Sequence, residues 1–289
     1  MKSNRLLISA LFAVSSTLPC YAQAPSWVSL LSKAAPGSFA PLPACEMTFD
    51  AGWKDIAKAG QVKVTVVPAG DTIKVLAKGA DVGAAAALLP IEGEYAGVID
   101  SATFLPKAME QTEKRKGSVL ISAVDFSGGK VTANKTLKPA TGDEIKVTKE
   151  NVVAPAFDLV SAALFIRSQP LKEVGESYVL AIAPQSSPKP LTITVVERAK
   201  YTYNGNSIDA IKLELKQTPY VLTKEETEKQ AAAAKSGSLS DKTKEAFKGH
   251  VSSLSAWISD DDKRLPLEIS VDIAPIGAVG AKLVEFKQN

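Results

Sequence analysis

The sequence predicts a mainly β fold: an antiparallel sandwich or partial barrel with one covering helix and one helical insertion. Short runs of alternating apolar and polar residues, separated by turn signals, indicate antiparallel strands. Two segments break this pattern. Residues 155–168 carry apolar residues at helical spacing, and residues 223–249 are rich in Lys, Glu and Ala.

The chain begins with the pattern of a secretory signal. Lys2 and Arg5 precede an apolar run over residues 6–14, and small residues follow. We expect cleavage after Ala22, giving a signal peptide over residues 1–22 and a protein that is periplasmic or secreted. Cys20 raises the alternative of a lipoprotein, although Pro19 before it fits such a site poorly.

The net charge limits the kind of partner that the protein can bind. The cysteine count limits how the fold can be stabilised. Removing the signal takes two of the 34 basic residues, against 31 acidic ones, so the net charge falls to about +1. This leaves no basic surface for nucleic acid. Beyond the signal, no apolar run approaches the roughly 20 residues that span a bilayer. Cys45 is the only cysteine that remains, and we expect it to be a small buried hydrophobe.

Residues 23–48 contain several prolines and predict an extended leader anchored by Trp27. Residues 49–289 then predict a single β domain. Its first hairpin turns at residues 68–71. Further hairpin turns are predicted at residues 127–129, 204–206 and 260–264.

The two helical segments are expected to have different roles. Phe157, Val160 and Leu164 share helical spacing within residues 155–168, where Pro155 and Asp158 suit a first turn. This helix is predicted to cover a curved sheet, which makes these three apolar residues candidates for ligand binding. Residues 223–249 are predicted to form a solvated helical insertion between strands.

Three stretches carry a family resemblance: residues 99–106 (IDSATFLP), 157–162 (FDLVSA) and 257–266 (WISDDDKRLP). They are similar to the exported bacterial proteins of the domain of unknown function 3108 family, over roughly residues 49–286. The resemblance implies an envelope or secreted β protein with no established reaction. The last stretch also resembles, more weakly, a segment of periplasmic lipoprotein carriers, which are incomplete barrels with an apolar lining closed by helices.

The run Asp260-Asp261-Asp262 raises the question of a metal site. Ca²⁺ needs six to eight oxygen ligands on a loop with acidic residues at alternate positions, whereas adjacent aspartates favour turns through bonds to nearby backbone. We therefore predict a turn in which Arg264 pairs with one aspartate, and no metal or cofactor. His250 is the only histidine, and no Gly-x-Ser-x-Gly elbow accompanies it.

One enzymatic hypothesis survives. Residues 98–102 (VIDSA) resemble the aspartic peptidase signature, with alanine in place of glycine, and would make Asp100 catalytic. That chemistry needs a second carboxylate sharing a proton. Asp71, Asp50 or a homodimer are the candidate sources. The competing interpretation makes Asp100 an ordinary strand residue ahead of a Leu-Pro turn.

The functional hypothesis that follows is an exported, non-enzymatic β protein that binds an apolar small molecule, a lipid or an envelope protein. It rests on export, β architecture and the shortage of catalytic groups. The alternative is an aspartic-peptidase-like hydrolase centred on Asp100. A purely structural envelope protein is a third hypothesis, which the sequence does not separate from the first.

Overall fold

The computed structural model describes residues 25–33, 35–53, 57–82, 91–115, 117–151, 155–183, 188–218, 250–274 and 277–289. Within these ranges the chain forms fourteen strands and one α-helix. Their bounds are β1 (Cys45–Trp53), β2 (Ala57–Ala69), β3 (Thr72–Asp81), β4 (Ile91–Asp100), β5 (Pro106–Arg115), β6 (Ser118–Asp125), β7 (Val131–Pro139), β8 (Ile145–Asn151), α1 (Leu159–Ser168), β9 (Ser177–Ile182), β10 (Lys189–Tyr203), β11 (Asn206–Gln217), β12 (His250–Ser259), β13 (Pro266–Ala274) and β14 (Gly277–Gln288).

All fourteen strands belong to one antiparallel sheet, and the first strand of the chain lies in the middle of that sheet rather than at an edge. β1 pairs with β14, so the first and last strands are neighbours. From β1 the chain meanders outward to β8 at one end of the sheet, and from β14 the order runs back to β9 at the other end. Among the described strands β8 and β9 do not pair with each other. The predicted antiparallel fold is confirmed, as a single unclosed sheet.

The sheet curls on itself until its two ends overlap. Twelve strand spacings of about 4.8 Å separate β7 from β9, which is roughly 58 Å in a flat sheet. Yet Ala181 and Ala183 at the β9 end share an apolar cluster with Val131 and Ala133 of β7. On the opposite face of β9, Leu180 joins the main core. The β9 end therefore lies inside the curl.

The predicted helix is confirmed with a later start. α1 begins at Leu159, and Asp158 is its N-cap rather than a residue of its first turn. Phe157 lies ahead of the helix and forms a parallel bridge with Ile182 of β9. The cause is local, because Asp158 accepts bonds from the backbone N–H groups of Val160 and Ser161 and so fixes the first turn beyond itself.

The N-terminal segment covers the β9 end of the sheet. Trp27 is buried in a 3-10 helix (Ser26–Leu30), as an anchor of the predicted leader should be. The Ser32 N–H then donates to the Val179 carbonyl at 2.8 Å, and Ser32 Oγ accepts from the Val179 N–H at 2.8 Å. The leader ends earlier than predicted, because β1 starts at Cys45, which is fully buried as expected.

The signal peptide (1–22) and the helical insertion (223–249) both lie outside the described residues. Within the described ranges, no helix has the length and apolar character that crossing a bilayer requires.

Candidate ligand-binding face

One face of the sheet, here called the inner face, packs on α1. Directly opposed residues of an antiparallel pair lie on the same face, so the register assigns faces strand by strand. Val66 lies opposite Val75, and both are buried in the main core. Phe165 of α1 and Ile211 of β11 belong to the same core and are fully buried. The helix thus packs inside the curled sheet, against its inner face.

α1 is too short to cover the whole inner face. Its ten residues span about 15 Å, whereas the thirteen residues of β2 span about 44 Å. Along β2 and β12–β14, the inner face also carries residues that are partly or fully exposed. We call this region the open face. It comprises Val62, Leu254, Ala256, Ile269, Val271 and Ala281.

The register makes the open face continuous. Ile269 lies opposite both Ala281 of β14 and Ala256 of β12, and Val271 lies opposite Leu254. Val62 shares its face with Phe49, a core residue. Ile269 is 43 % exposed, which is unusual for a large aliphatic side chain on the concave side of a sheet. Every member is aliphatic, so the surface suits contact with an apolar group rather than proton transfer.

The N-terminal end of α1 is fixed by a buried carboxylate. Asp158 Oδ1 accepts from Tyr95 Oη at 3.1 Å, from the Val160 N–H at 2.7 Å and from the Ser161 N–H at 2.9 Å. Oδ2 has no hydrogen-bond partner among the described residues. Burial raises the pKa of Asp158 despite these bonds, and burial beside this carboxylate also raises the pKa of Tyr95.

The C-terminal end of α1 is fixed by arginines. Arg167 donates from Nε at 3.1 Å and from Nη2 at 2.9 Å to the Lys263 carbonyl. Arg264 donates from Nη2 to the Pro170 carbonyl at 3.1 Å, and its guanidinium lies 4.3 Å from the centre of the Phe39 ring. Burial lowers the pKa of Arg167 to about 10. Both guanidinium groups are buried and hold the turn before β13 against the helix.

The three aspartates form a turn, as predicted. Asp261 Oδ1 accepts from Ser259 Oγ at 2.7 Å and from the Lys263 and Arg264 N–H groups at 3.1 and 3.0 Å. Asp260 pairs with Arg198 and, at 3.6 Å, with the predicted partner Arg264. These oxygens are occupied by the turn and its neighbours, which is a structural role.

Asp100 and Asp71 lie near each other because both form an ion pair with Lys107. Lys107 Nζ lies 3.4 Å from a carboxylate oxygen of each. Asp100 Oδ1 also accepts from Thr103 Oγ1 and the Thr103 N–H, both at 2.9 Å, and these bonds lead the lowering of its pKa. A shared proton would instead require one raised pKa. Asp50, the other suggested partner, is paired with Lys58 at 2.7 Å. This geometry does not support the peptidase alternative.

The predicted ligand-binding residues occupy different depths. Phe157 and Leu164 are buried in the main core, while Val160 is only partly buried. Val160, in the first turn of α1, packs against the main core from its periphery. Neither the open face nor the Tyr95–Asp158 bond is predicted from the sequence. Asp158-Leu159-Val160-Ser161 is a capping pattern that identifies the N-cap, but nothing near Tyr95 signals its partner.

The three stretches that carry the family resemblance have a common structural role. Residues 157–162 place the buried N-cap Asp158, and residues 257–266 place the turn that fixes the other end of α1. Residues 99–106 form a corner that buries Phe104 in the main core. All three organise the core around α1.

A comparison with protein-family models identifies the family, and its description names no reaction. A family model described as "Protein of unknown function (DUF3108)" matches residues 46–284. No curated protein matches the chain. The chain is similar in structure to a β-barrel-like protein of DUF1849 from Brucella abortus, with 7 % identity and a TM-score of 0.47, over 87 % of this chain and 99 % of that one.

Two other solved structures show weaker similarity. One is a protein described as exported, with a YmcC-like fold, from Bacteroides fragilis, at 6 % identity and a TM-score of 0.33, over 88 % of this chain and 100 % of that one. The other, from Parabacteroides distasonis, is described as a lipoprotein, at 7 % identity and a TM-score of 0.28, over 88 % of this chain and 99 % of that one. Because the family model covers most of the sequence, the chain belongs to the DUF3108 family of proteins of unknown function.

Proposed function

We propose that this protein is an exported, non-enzymatic binding protein that holds an apolar ligand, such as a lipid acyl chain, against the open face. The observation that carries the proposal is the exposure of Ile269 inside the curl, surrounded by aliphatic neighbours in register. Export is supported by the signal pattern of residues 1–22.

Ligand affinity would come from burial of aliphatic surface. Each methylene that leaves water contributes about 0.8 kcal/mol, so an acyl chain covering a few residues gains enough to bind. Val160 would contact the ligand at the boundary with α1. Phe157 and Leu164 would act as the packed wall behind it, because both are buried.

The way α1 is held supports the proposal of an open site. α1 is fastened at its N-terminal end by Tyr95 and at its C-terminal end by Arg167 and Arg264. A helix held at both ends has little freedom to slide along the curl and cover the remaining inner face. An apolar surface formed in advance in this way would reduce the free energy that ordering costs on binding.

The test is binding of an environment-sensitive apolar fluorophore, followed by displacement with a long-chain fatty acid. Ile269→Lys places a charge in the open face, and we expect at least a tenfold loss of affinity. Leu76→Lys is the matched control, because Leu76 is 46 % exposed and alternates with the buried core residue Val75, so it lies on the outer face. The control is expected to bind like the wild type.

Equal loss in both variants would place the probe elsewhere on the surface. Absence of binding by the wild type would refute the proposal.

A further inference from the structure

The two ends of the sheet differ in how their edges are protected. At the β9 end, the N-terminal segment bonds to Val179. Phe157 also bonds to the C-terminal end of β9. Its N–H donates to the Ala181 carbonyl at 2.8 Å, and its carbonyl accepts from the Ala183 N–H at 2.7 Å. At the other end, no described strand pairs with the outer edge of β8. Residues 145–150 of β8 are all exposed.

The exposed edge carries apolar side chains. Ile145 and Val147 are 55 % and 45 % exposed and lie opposite Leu137 and Lys135 of β7. An edge strand of this length is a template for pairing with another strand when, as here, no described strand pairs with its outer backbone groups and aliphatic residues are exposed. Backbone pairing alone does not specify the partner, so specificity must come from the side chains of β8.

The side chains of β8 are complementary to themselves. Consider two copies of β8 paired antiparallel about a two-fold axis through Thr148. Lys146 of each copy then lies opposite Glu150 of the other, which forms two salt bridges, and the two Thr148 side chains are opposed. Lys146 and Glu150 are available for this because their pairs within the chain, with Glu144 and Lys130, are exposed and weak.

Neighbouring registers lack this complementarity. The axis must pass through a residue if both inner faces are to remain on one side. An axis through Val147 opposes Glu144 to Glu150, and an axis through Lys149 opposes two lysines. In the Thr148 register the two Lys149 side chains meet only on the diagonal, where separation is larger and repulsion weaker.

We propose that the outer edge of β8 binds a second copy of this chain, by antiparallel pairing centred on Thr148. The symmetric contact closes on itself, so the product is a dimer rather than a fibre. Its interface is small, so the dimer should be in exchange with the monomer. The contact leaves the open face untouched and is independent of the proposed ligand.

Charge exchange tests the register. Lys146→Glu opposes glutamates at both symmetric positions, and sedimentation velocity across a concentration series should show dimer affinity weakened about tenfold. The double variant Lys146→Glu, Glu150→Lys reverses both pairs and should restore it. Both residues are exposed, so neither variant is expected to unfold the protein.

Disulfide formation tests the axis. Thr148→Cys places two cysteines opposite each other, and oxidation should give a covalent dimer. Ile145→Cys is the control, because its symmetry mates would lie about 20 Å apart along the strands. Cys45 is buried and should not react.

A monomer at every concentration would overturn the proposal. So would equal cross-linking of both cysteine variants, failure of the double charge variant to restore the dimer, or capture of a different protein in place of a second copy.

Discussion

Phe104 and Arg264 occupy equivalent positions in two connections between strands, and these connections have the same backbone arrangement. Both have left-handed backbone conformations, with φ of 59° and 48°, and each precedes a Leu-Pro pair that starts the next strand. Each corner is closed by a backbone bond, from the Asp100 N–H to the Leu105 carbonyl at 2.9 Å and from the Ser259 N–H to the Leu265 carbonyl at 2.8 Å. One corner inserts a phenyl ring into the core and the other a guanidinium.

The left-handed conformation predicts an unusual ranking at position 264. Both Arg264→Ala and Arg264→Gly lose the bond to the Pro170 carbonyl and the contact with Phe39, and should lower the free energy of unfolding by about 2–4 kcal/mol. Glycine adopts positive φ without steric cost, so Arg264→Gly should be about 1 kcal/mol more stable than Arg264→Ala. Urea denaturation of both variants measures the difference. The opposite ranking would show that φ is not maintained.

The Tyr95–Asp158 bond should contribute to stability through burial. Tyr95→Phe leaves a buried carboxylate with one donor fewer, and should lower the free energy of unfolding by about 1–3 kcal/mol. Tyr178→Phe is the control. Its hydroxyl donates to Glu176 at 2.6 Å in a less buried setting, where water replaces the lost bond, so a smaller loss is expected. Equal losses would contradict a special role for the buried pair.

Asp158 predicts a pH dependence of defined sign. Because its folded-state pKa is raised above the unfolded value of about 3.9, its contribution to stability is full below that value and falls as pH rises through the folded-state pKa. Asp158→Asn keeps a good N-cap and removes the titration. The free energy of unfolding of wild type minus variant should therefore decrease from pH 4 to pH 7. A constant difference would contradict the raised pKa.

Asp100 predicts the opposite sign. Its folded-state pKa is lowered, chiefly by the bonds from Thr103, so its contribution is present above the unfolded value and lost as pH falls through the folded-state pKa. The stability of wild type minus Asp100→Asn should therefore be greater at pH 7 than at pH 3. Peptide cleavage at acidic pH that disappears in Asp100→Asn would instead revive the peptidase hypothesis.

Local patterns predicted much of the fold. The Asn204-Gly205 turn between β10 and β11, the turn at the aspartates and the helix before β9 were identified because each depends on residues close in sequence. β8 was missed because its few apolar residues alternate with Lys, Thr and Glu in a strand exposed on both faces. β1 was missed because the prolines before it suggested a longer leader.

The candidate site cannot be predicted from local sequence patterns. Leu267 and Ile269 lie on the same face of the same strand, yet Leu267 is buried and Ile269 is exposed. The difference depends on contacts between residues far apart in the chain, which local sequence patterns do not show. Tyr95 and Asp158, 63 residues apart, are one such contact.

The location of a bound apolar chain tests the central claim most directly. A fatty acid carrying a photoactivatable diazirine would be bound, cross-linked and mapped by mass spectrometry of the peptides. We expect adducts on β12, β13 and β14 around Leu254, Ile269 and Ala281, and their loss in Ile269→Lys. Adducts on the outer face near Leu76, or adducts unchanged by Ile269→Lys, would contradict the account.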